Sequence, residues 1–246
     1  MRVLAVPPLK RSLRARLAFA LLALLAAALF VHLGLWQWRK GQEREAQWQR
    51  FAAGAEHLVP VGAGSLAALP LYQHVSVTGE LDGAHQFLLD NRSWQGRSGY
   101  EVLTPLRRPG GTTLLIDRGW VPFSGARRVL PDVGLPAVTP EHFSGRLALL
   151  PSAGLELGRS PPAGEWPKVT SFPSMAELSA ALGAPLELRI LWLDPEAAAG
   201  YVRDWHAPGM SPLRHFSYAI QWWCFAGLAL LVWGVMSWRG LAAGRP

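Results

Sequence analysis

The sequence contains a single cysteine, Cys224, among its 246 residues. One thiol cannot form a disulfide within the chain, and it cannot supply a CxxC redox or zinc motif. Cys224 lies inside an apolar run near the C-terminus, where a free cysteine usually packs as a small hydrophobic residue. The sequence therefore offers neither a disulfide framework nor a cysteine-based redox centre.

The common catalytic signatures are absent as well. The sequence has no GxSxG nucleophile elbow, no phosphate-binding loop, no dinucleotide fingerprint and no HExxH spacing. A fold can still bring two carboxylates together, but no nucleophile or general base stands out. We therefore predict that the protein is not an enzyme, and a membrane-anchored hydrolase remains as the catalytic alternative.

Acidic residues are missing from both ends of the chain. All 17 Asp and Glu residues lie between positions 41 and 213 together with 14 Lys and Arg residues, which gives this segment a net charge of −3. The other 10 basic residues flank two apolar runs. A protein that binds nucleic acid would be expected to carry its basic excess on the folded domain. The charge distribution instead indicates membrane topology, and no nucleic acid is expected as a partner.

Each of the two apolar runs is long enough to cross a lipid bilayer. They cover 17–35 and 219–238, about 19 and about 20 residues, without a formal charge. A cleaved signal peptide is the alternative for the first run, because Ala26-Ala27-Ala28 resembles a cleavage site, but the apolar stretch continues past these alanines. Trp36 and Trp38 then occupy the position of an interfacial aromatic belt. We predict an uncleaved transmembrane helix at each end of the chain.

The basic residues around the two runs predict the orientation. Five of them precede the first run and two follow the second, whereas three lie on the opposite side. By the positive-inside rule, both termini are cytoplasmic and the intervening domain is periplasmic, in the inner membrane of a bacterium. The predicted organisation is a cytoplasmic tail 1–16, a transmembrane helix 17–37, a periplasmic domain 38–213, a transmembrane helix 214–238 and a cytoplasmic tail 239–246.

Small residues suggest how the two helices meet. Ala20, Ala27 and Gly34 recur every seven residues in the first run, as do Gly227 and Gly234 in the second. Such stripes of small side chains allow two helices to approach closely in a membrane. We expect the helices to pack through these stripes; the alternative is an alanine-rich anchor without a partner helix.

The segment between the two runs has the pattern of a β-rich domain, because short apolar or alternating runs are separated by Gly and Pro residues. Ser174 and Glu177 form a capping-box pattern ahead of one short helix, which Gly183 closes. We predict an α+β domain built as a small barrel or a curled antiparallel sheet. The expected strands are 74–81, 85–92, 100–107, 112–121, 142–150 and 186–193, with loops at 122–140 and 151–165.

Polar side chains gather where the second run begins. Ser211 and Pro212 are typical of an N-cap followed by proline at the first helical position. A helix that starts there is about 40 Å long, which exceeds the hydrocarbon core by about 10 Å. The surplus places Arg214, His215 and Tyr218 at the outer headgroup level, where an arginine can snorkel to water.

His215 is the main candidate ligand of this group. It lies near the positive end of the helix and next to a guanidinium, and both disfavour the imidazolium form. A neutral imidazole at an apolar boundary can bind haem iron or copper; the alternative is a histidine that is only hydrogen-bonded. His32 lies near the same outer face, on one stripe with Trp36 and Arg39, and is a second candidate ligand.

Several blocks, in the order of the chain, resemble signatures of the SURF1 family (surfeit locus protein 1), and together they cover most of the sequence. They are LGLWQWRK at 33–40, VTGELD at 77–82, LLDNRSWQGRSGYEVLTPL at 88–106, LLIDRGWVP at 114–122, HFSGRL at 142–147 and RHFSYAIQWWCFA at 214–226. The Asn91-Arg92 and Arg118-Gly119-Trp120 boxes are expected to serve the fold, with Arg92 or Arg118 holding buried carbonyl groups; contact with the oxidase is the alternative.

The resemblance implies an assembly factor for haem–copper terminal oxidases of the cytochrome c oxidase type, which binds haem a or delivers it to the catalytic subunit. It assigns His215 as the iron ligand. We further expect Arg214 or Arg39 to face a propionate and Tyr218 and Trp222 to flank the ring. The expected partners are the catalytic subunit, haem a synthase and the lipid bilayer. A scaffold that clamps oxidase subunits without touching haem is the alternative function.

Overall fold

The computed structural model describes residues 13–54, 56–137, 141–151, 160–207 and 209–242. These residues form two long helices, one short helix, one 3₁₀ turn and ten strands. In chain order the elements are α1 Leu13–Ala53, β1 Val59–Val61, the 3₁₀ turn Leu66–Ala68, β2 His74–Thr78, β3 Glu80–Leu81, β4 Phe87–Trp94, β5 Arg97–Arg107, β6 Thr113–Pro122, β7 His142–Ala148, β8 Ser160–Ala163, β9 Lys168–Ser171, α2 Met175–Leu182, β10 Leu186–Leu193 and α3 Pro212–Ala242.

The chain divides into two compact units. The helix unit consists of residues 1–48 and 208–246, and the sheet unit of residues 49–207. The helix unit contains two helices, within α1 and α3, that are long and apolar enough to cross a membrane. Two apolar helices therefore flank a β-rich domain, as the sequence predicts. The predicted tail residues 1–12 and 243–246 lie outside the part of the chain that the structure describes.

Helix α1 is longer than the predicted span, 17–37, because it continues to Ala53. The sequence from Trp38 to Ala53 has no proline and is rich in Gln, Glu and Arg, which are good helix formers. Side chains one turn apart support this polar extension: Lys40 pairs with Glu43 at 2.7 Å, and Arg44 donates to the Gln47 amide oxygen at 2.8 Å. Helix α3 begins at Pro212, as predicted.

The sheet unit contains one open, mixed sheet. The strand order is β1-β2-β7-β10-β6-β5-β4-β9-β8, and the short β3 pairs with β5 off this path. Because β1 and β8 end the path without pairing with each other, the predicted barrel is wrong. The predicted antiparallel sheet is also wrong in part, since β1 and β2, β6 and β10, and β4 and β9 are parallel pairs. Each parallel pair joins strands separated by about a dozen residues or more, as parallel crossovers require.

Six predicted strand regions contain strands, whereas β1, β8 and β9 were not predicted. β8 lies inside the predicted loop 151–165, which is therefore wrong at Ser160–Ala163; positions 152–159 of that loop lie outside the described residues. The segment Ser-Pro-Pro-Ala has no strand pattern, but proline is tolerated there because β8 is an edge strand. The predicted loop at 122–140 has no helix or strand over 123–137.

The two largest clusters of buried side chains among the described residues stabilise the sheet. One is built around Leu106, Ile116, Phe143 and Leu191. The other includes Phe87, Leu103, Leu115 and Ile190 together with Leu178 of α2, so the short helix covers part of the sheet. The predicted capping of α2 is confirmed: Ser174 accepts the Glu177 N–H, the Glu177 carboxylate accepts the Ser174 N–H at 2.7 Å, and Gly183 ends the helix at φ 72°.

Candidate functional site

Helices α1 and α3 of the helix unit contact each other where aromatic rings of α3 lie over small residues of α1. The buried small residues of α1 are Ala23, Ala27, Gly34 and Gly41, and those of α3 are Ala219 and Ala226. In the predicted α1 stripe Ala27 and Gly34 are buried and Ala20 is half-buried, whereas the predicted stripe on α3 is wrong. Gly227 and Gly234 are exposed, and a Cβ on either would meet no described atom within 4 Å.

Aromatic rings of α3 fill the space that the glycines of α1 leave open. A Cβ on Gly34 would overlap the indole of Trp223, and one on Gly41 would overlap the ring of Phe216. Trp38 packs against both rings, with centroid distances of 4.8 Å to Phe216 and 5.7 Å to Trp223. The two helices are therefore held in register by interlocked rings and glycines on either side of Gln37.

The polar contact between the helices joins His215 to Gln37. Nδ1 of His215 lies 2.8 Å from the amide oxygen of Gln37, and both side chains are half-buried. Nε2 of His215 forms no hydrogen bond with any residue that the structure describes. Predicted ligand His215 therefore lies against α1, with one ring nitrogen engaged and the other unengaged.

The other predicted site residues of α3 point in different directions. Trp222 faces α1, where its ring stacks on Phe30 at 5.6 Å with an interplanar angle of 23°. Tyr218 is 44% exposed, and Arg214 is exposed beside His215. The structure therefore brings Trp222 to the same helix interface as His215, whereas Tyr218 and Arg214 face outward.

Predicted site residues His32 and Arg39 lie on exposed parts of α1. At about 100° per residue, His32 is about 160° around the helix from the α3-facing Gly34, and Arg39 is about 140° away from it. Gln37 is only about 60° from Gly34 by the same geometry. The two candidate ligands His32 and His215 therefore do not face each other across the helix pair.

A wholly apolar cleft lies deeper in the helix pair. It has a volume of about 520 Å³, and ten residues, about 15 Å of helix, separate His215 from Phe225 in its lining. Phe30 and Phe225 pack together at its wall with centroids 5.9 Å apart. The cleft is lined by Phe19, Leu22, Ala23, Ala26, Phe30, Phe225, Leu228, Ala229 and Val232. Its lining suits an alkyl chain and offers no group for chemistry.

Arg118 is a buried cation of the sheet unit with several hydrogen-bond partners. Its buried guanidinium donates to the carbonyls of Ala199 at 2.5 Å and Val133 at 3.0 Å, and to the amide oxygen of Gln86 at 2.9 Å. It also lies over the ring of Tyr201 at 4.8 Å. Burial lowers the pKa of Arg118 from its ordinary value. The prediction that Arg118 holds buried carbonyl groups is confirmed, and the side chain ties together three segments of the domain.

A second polar group brings the half-buried Arg92 and Glu101 close to the buried Asp117. Arg92 forms an ion pair with Glu101 at 3.0 Å, and no hydrogen bond joins its side chain to a carbonyl group of the described residues. Asp117 accepts the Gly119 N–H at 3.0 Å through Oδ1, while Oδ2 has no hydrogen-bond partner among the described residues. The described residues include no group of three or more His, Cys, Asp or Glu side chains able to hold a metal ion. This group therefore has no arrangement typical of a metal site.

Comparison with protein-family models places this arrangement in a known family. The model of the SURF1 family matches residues 24–227, which is most of the chain and includes both Gln37 and His215. The chain belongs to the SURF1 family. Members of the SURF1 family are known as oxidase assembly factors and not as catalysts. A comparison with curated proteins gives no match.

Sequence reasoning missed Gln37, although it lies inside the LGLWQWRK block of this SURF1-family chain. A signal was present: a glutamine at the end of an apolar span needs a hydrogen-bond partner, because lipid offers none. Gln37 also follows Gly34 by three residues, which places it on the predicted packing stripe. Its partner, 178 residues later, could not be identified from this local pattern.

Proposed function

We propose that this SURF1-family protein binds haem a at His215 during oxidase assembly and delivers it to the catalytic subunit of a haem–copper oxidase. Haem a synthase is the proposed source of the haem. The observation that carries the proposal is the half-buried imidazole whose Nδ1 is engaged by Gln37 while Nε2 has no described partner. A histidine nitrogen available in apolar surroundings is a common axial ligand of haem iron.

The residues around His215 have the chemistry that a haem requires. When bound, haem a would supply an iron centre able to accept a neutral imidazole nitrogen. His215 would hold the iron, and the exposed guanidinium of Arg214 would pair with a propionate. Tyr218 and Trp222 would contact the ring from α3. His32 and Arg39 are left out of the proposed site, because both lie on the side of α1 away from Gly34.

The proposal is tested by purifying the full-length protein in detergent from bacterial cells that make haem a and from cells that do not. We expect a Soret band only in protein from the haem a-producing cells. His215→Ala should abolish this band, and His32→Ala, a matched histidine change on the exposed side of α1, should retain it. Equal bands in the wild type and His215→Ala would exclude His215 as the ligand.

The same preparations separate haem delivery from a scaffold role. Capture of the catalytic subunit, measured by co-purification, is expected with the wild type. If the wild-type protein captures this subunit without pigment, and His215→Ala captures it equally well, the protein acts as a haem-independent scaffold.

A further inference from the structure

We propose that Gln37 is a positioning residue for His215: it fixes the imidazole in the tautomer that carries its proton on Nδ1 and leaves a lone pair on Nε2. The iron-binding consequence rests on the proposed function, whereas the tautomer itself is a property of the haem-free protein. The proposal starts from the 2.8 Å contact between Nδ1 of His215 and the amide oxygen of Gln37.

The atoms that can carry a proton determine the direction of this hydrogen bond. The amide oxygen of glutamine has no proton, so it can only accept. A neutral imidazole carries one proton, on either Nδ1 or Nε2. Because Nδ1 faces the oxygen, Nδ1 must donate, and Nε2 therefore bears the lone pair. A histidine that binds a metal typically has its second nitrogen hydrogen-bonded in this way, which sets the tautomer and the ring orientation.

The packing around Gln37 keeps its amide facing His215. Gly34 and Gly41 lie one turn before and one turn after Gln37, and both are covered by rings of α3. Trp38, the residue after Gln37, is wedged between Phe216 and Trp223. Both side chains are half-buried beside these rings, so a broken contact would leave the amide and the imidazole with only partial access to another partner. The interlocked rings thus stabilise the contact from both sides.

The hydrogen bond to Gln37 also changes how strongly the imidazole of His215 would bind iron. A hydrogen bond accepted from Nδ1–H raises the basicity of Nε2, and loss of such an outer contact typically lowers metal affinity about 10- to 100-fold. Gln37→Leu removes the acceptor, whereas Gln37→Glu replaces it with a stronger one. A more basic ligand favours ferric iron, so the two variants should move the reduction potential of a bound haem in opposite directions.

The first experiment needs no haem. The full-length chain, labelled with ¹⁵N-histidine and purified from cells without haem a synthesis, is studied by NMR of the His215 ring nitrogens, assigned with His215→Ala. We expect a protonated Nδ1 and an unprotonated Nε2 in the wild type, and a mixture of tautomers in Gln37→Leu. Gln221→Leu, which removes an exposed glutamine of α3, should match the wild type. A wild-type ring protonated on Nε2, with the amide of Gln37 donating instead, would overturn the proposal.

The second experiment uses protein from haem a-producing cells. We expect haem to leave Gln37→Leu roughly 10- to 100-fold faster than the wild type. The reduction potential of the bound haem should rise in Gln37→Leu and fall in Gln37→Glu. A purely structural defect would not produce two opposite shifts. If His215→Ala keeps its haem, the proposed function fails while the tautomer result stands. If only His215→Ala loses haem, and Gln37→Leu changes neither tautomer, release rate nor potential, the positioning role fails and the proposed function stands.

Discussion

Asp117 is an unusual carboxyl group because the fold gives it a buried position without a full set of partners. It is completely buried in β6, and only Oδ1 is hydrogen-bonded. Burial and the nearby Glu101 carboxylate raise the pKa of Asp117 well above its ordinary value, against smaller opposing contributions from the Gly119 N–H and Arg92. Burial also raises the pKa of Glu101, and Arg92 opposes that shift. The folded domain therefore favours a protonated carboxyl group in this pair.

These shifts predict how stability depends on pH. In the unfolded chain both carboxyls ionise near their ordinary values of about 4, whereas the folded pair holds a proton to higher pH. A raised carboxyl pKa contributes stability that is present at low pH and is lost as the pH rises through the folded value. We expect the free energy of unfolding of the full-length chain in detergent to decrease as the pH rises above these ordinary values. Denaturant-induced unfolding, monitored by tryptophan fluorescence, measures this free energy at each pH.

Asp117→Asn is the matched variant for this prediction, because it keeps the shape of the side chain and removes the proton exchange. Its stability should vary less across the same pH range. Asp82 is not expected to contribute there: burial opposes its ionisation, but His85 and Arg107 outweigh that effect and lower the pKa of Asp82, so it is ionised in both states. Identical pH profiles for the wild type and Asp117→Asn would show that this pair does not control the dependence.

Local patterns at single residues could be predicted, and contacts between distant residues could not. The Ser174–Glu177 capping box and the terminating Gly183 depend on spacings of a few residues, which the sequence displays directly. The unpartnered oxygen of Asp117 depends on how β5 and β6 pair around an irregularity between Glu101 and Leu103. Such a shift in register follows from the packing of the whole sheet, and no short motif encodes it.

At the scale of elements, the predicted packing stripe succeeded on α1 and failed on α3. Both candidate stripes on α3 have small residues seven apart, since Ala219 and Ala226 have the same spacing as Gly227 and Gly234. Spacing alone therefore could not select between them. The large rings decide the rotation of α3: Phe216 and Trp223 fit over Gly41 and Gly34, and this fit turns Gly227 outward.

The interlock of rings and glycines predicts the effect of enlarging a glycine. Gly34→Leu should separate α1 from α3, because the new side chain overlaps the indole of Trp223. Interaxial distances depend directly on side-chain size at the contact and lie at about 8–10 Å in ordinary helix pairs. Spin labels on exposed positions of the two helices, Leu35→Cys and Ile220→Cys in a Cys224→Ser background, should report a longer or broader distance distribution.

Gly227→Leu provides the control for this measurement, because a Cβ at that position meets no described atom within 4 Å. The distance distribution should be the same as without the change. An equal effect of the two leucines would mean that the helices do not pack through Gly34. An unchanged distribution in Gly34→Leu would lead to the same conclusion.

At the scale of the whole molecule, composition predicted the order of the parts better than their internal arrangement. Apolar run length is enough to identify two helices at the ends, and alternating runs are enough to indicate a β-rich segment between them. The mixed sheet was not predictable in this way, because β9 and β10 join β4 and β6 in parallel across long stretches of chain. Parallel pairing depends on crossover connections, whose paths leave little trace in local sequence.

Orientation in the membrane is the whole-molecule property that the charge distribution predicts. Seven basic residues outside the two apolar runs favour cytoplasmic termini, against Arg39, Lys40 and Arg214 on the domain side. In a Cys224→Ser background, Val129→Cys, at a position that is 59% exposed in the sheet unit, should react with a membrane-impermeant maleimide in intact bacterial cells whose outer membrane admits the reagent. A cysteine added after Pro246 should react only after lysis. As a control, both cysteines must react to the same extent in lysed cells. The reverse labelling pattern would place the domain in the cytoplasm and His215 at the inner rather than the outer face of the membrane.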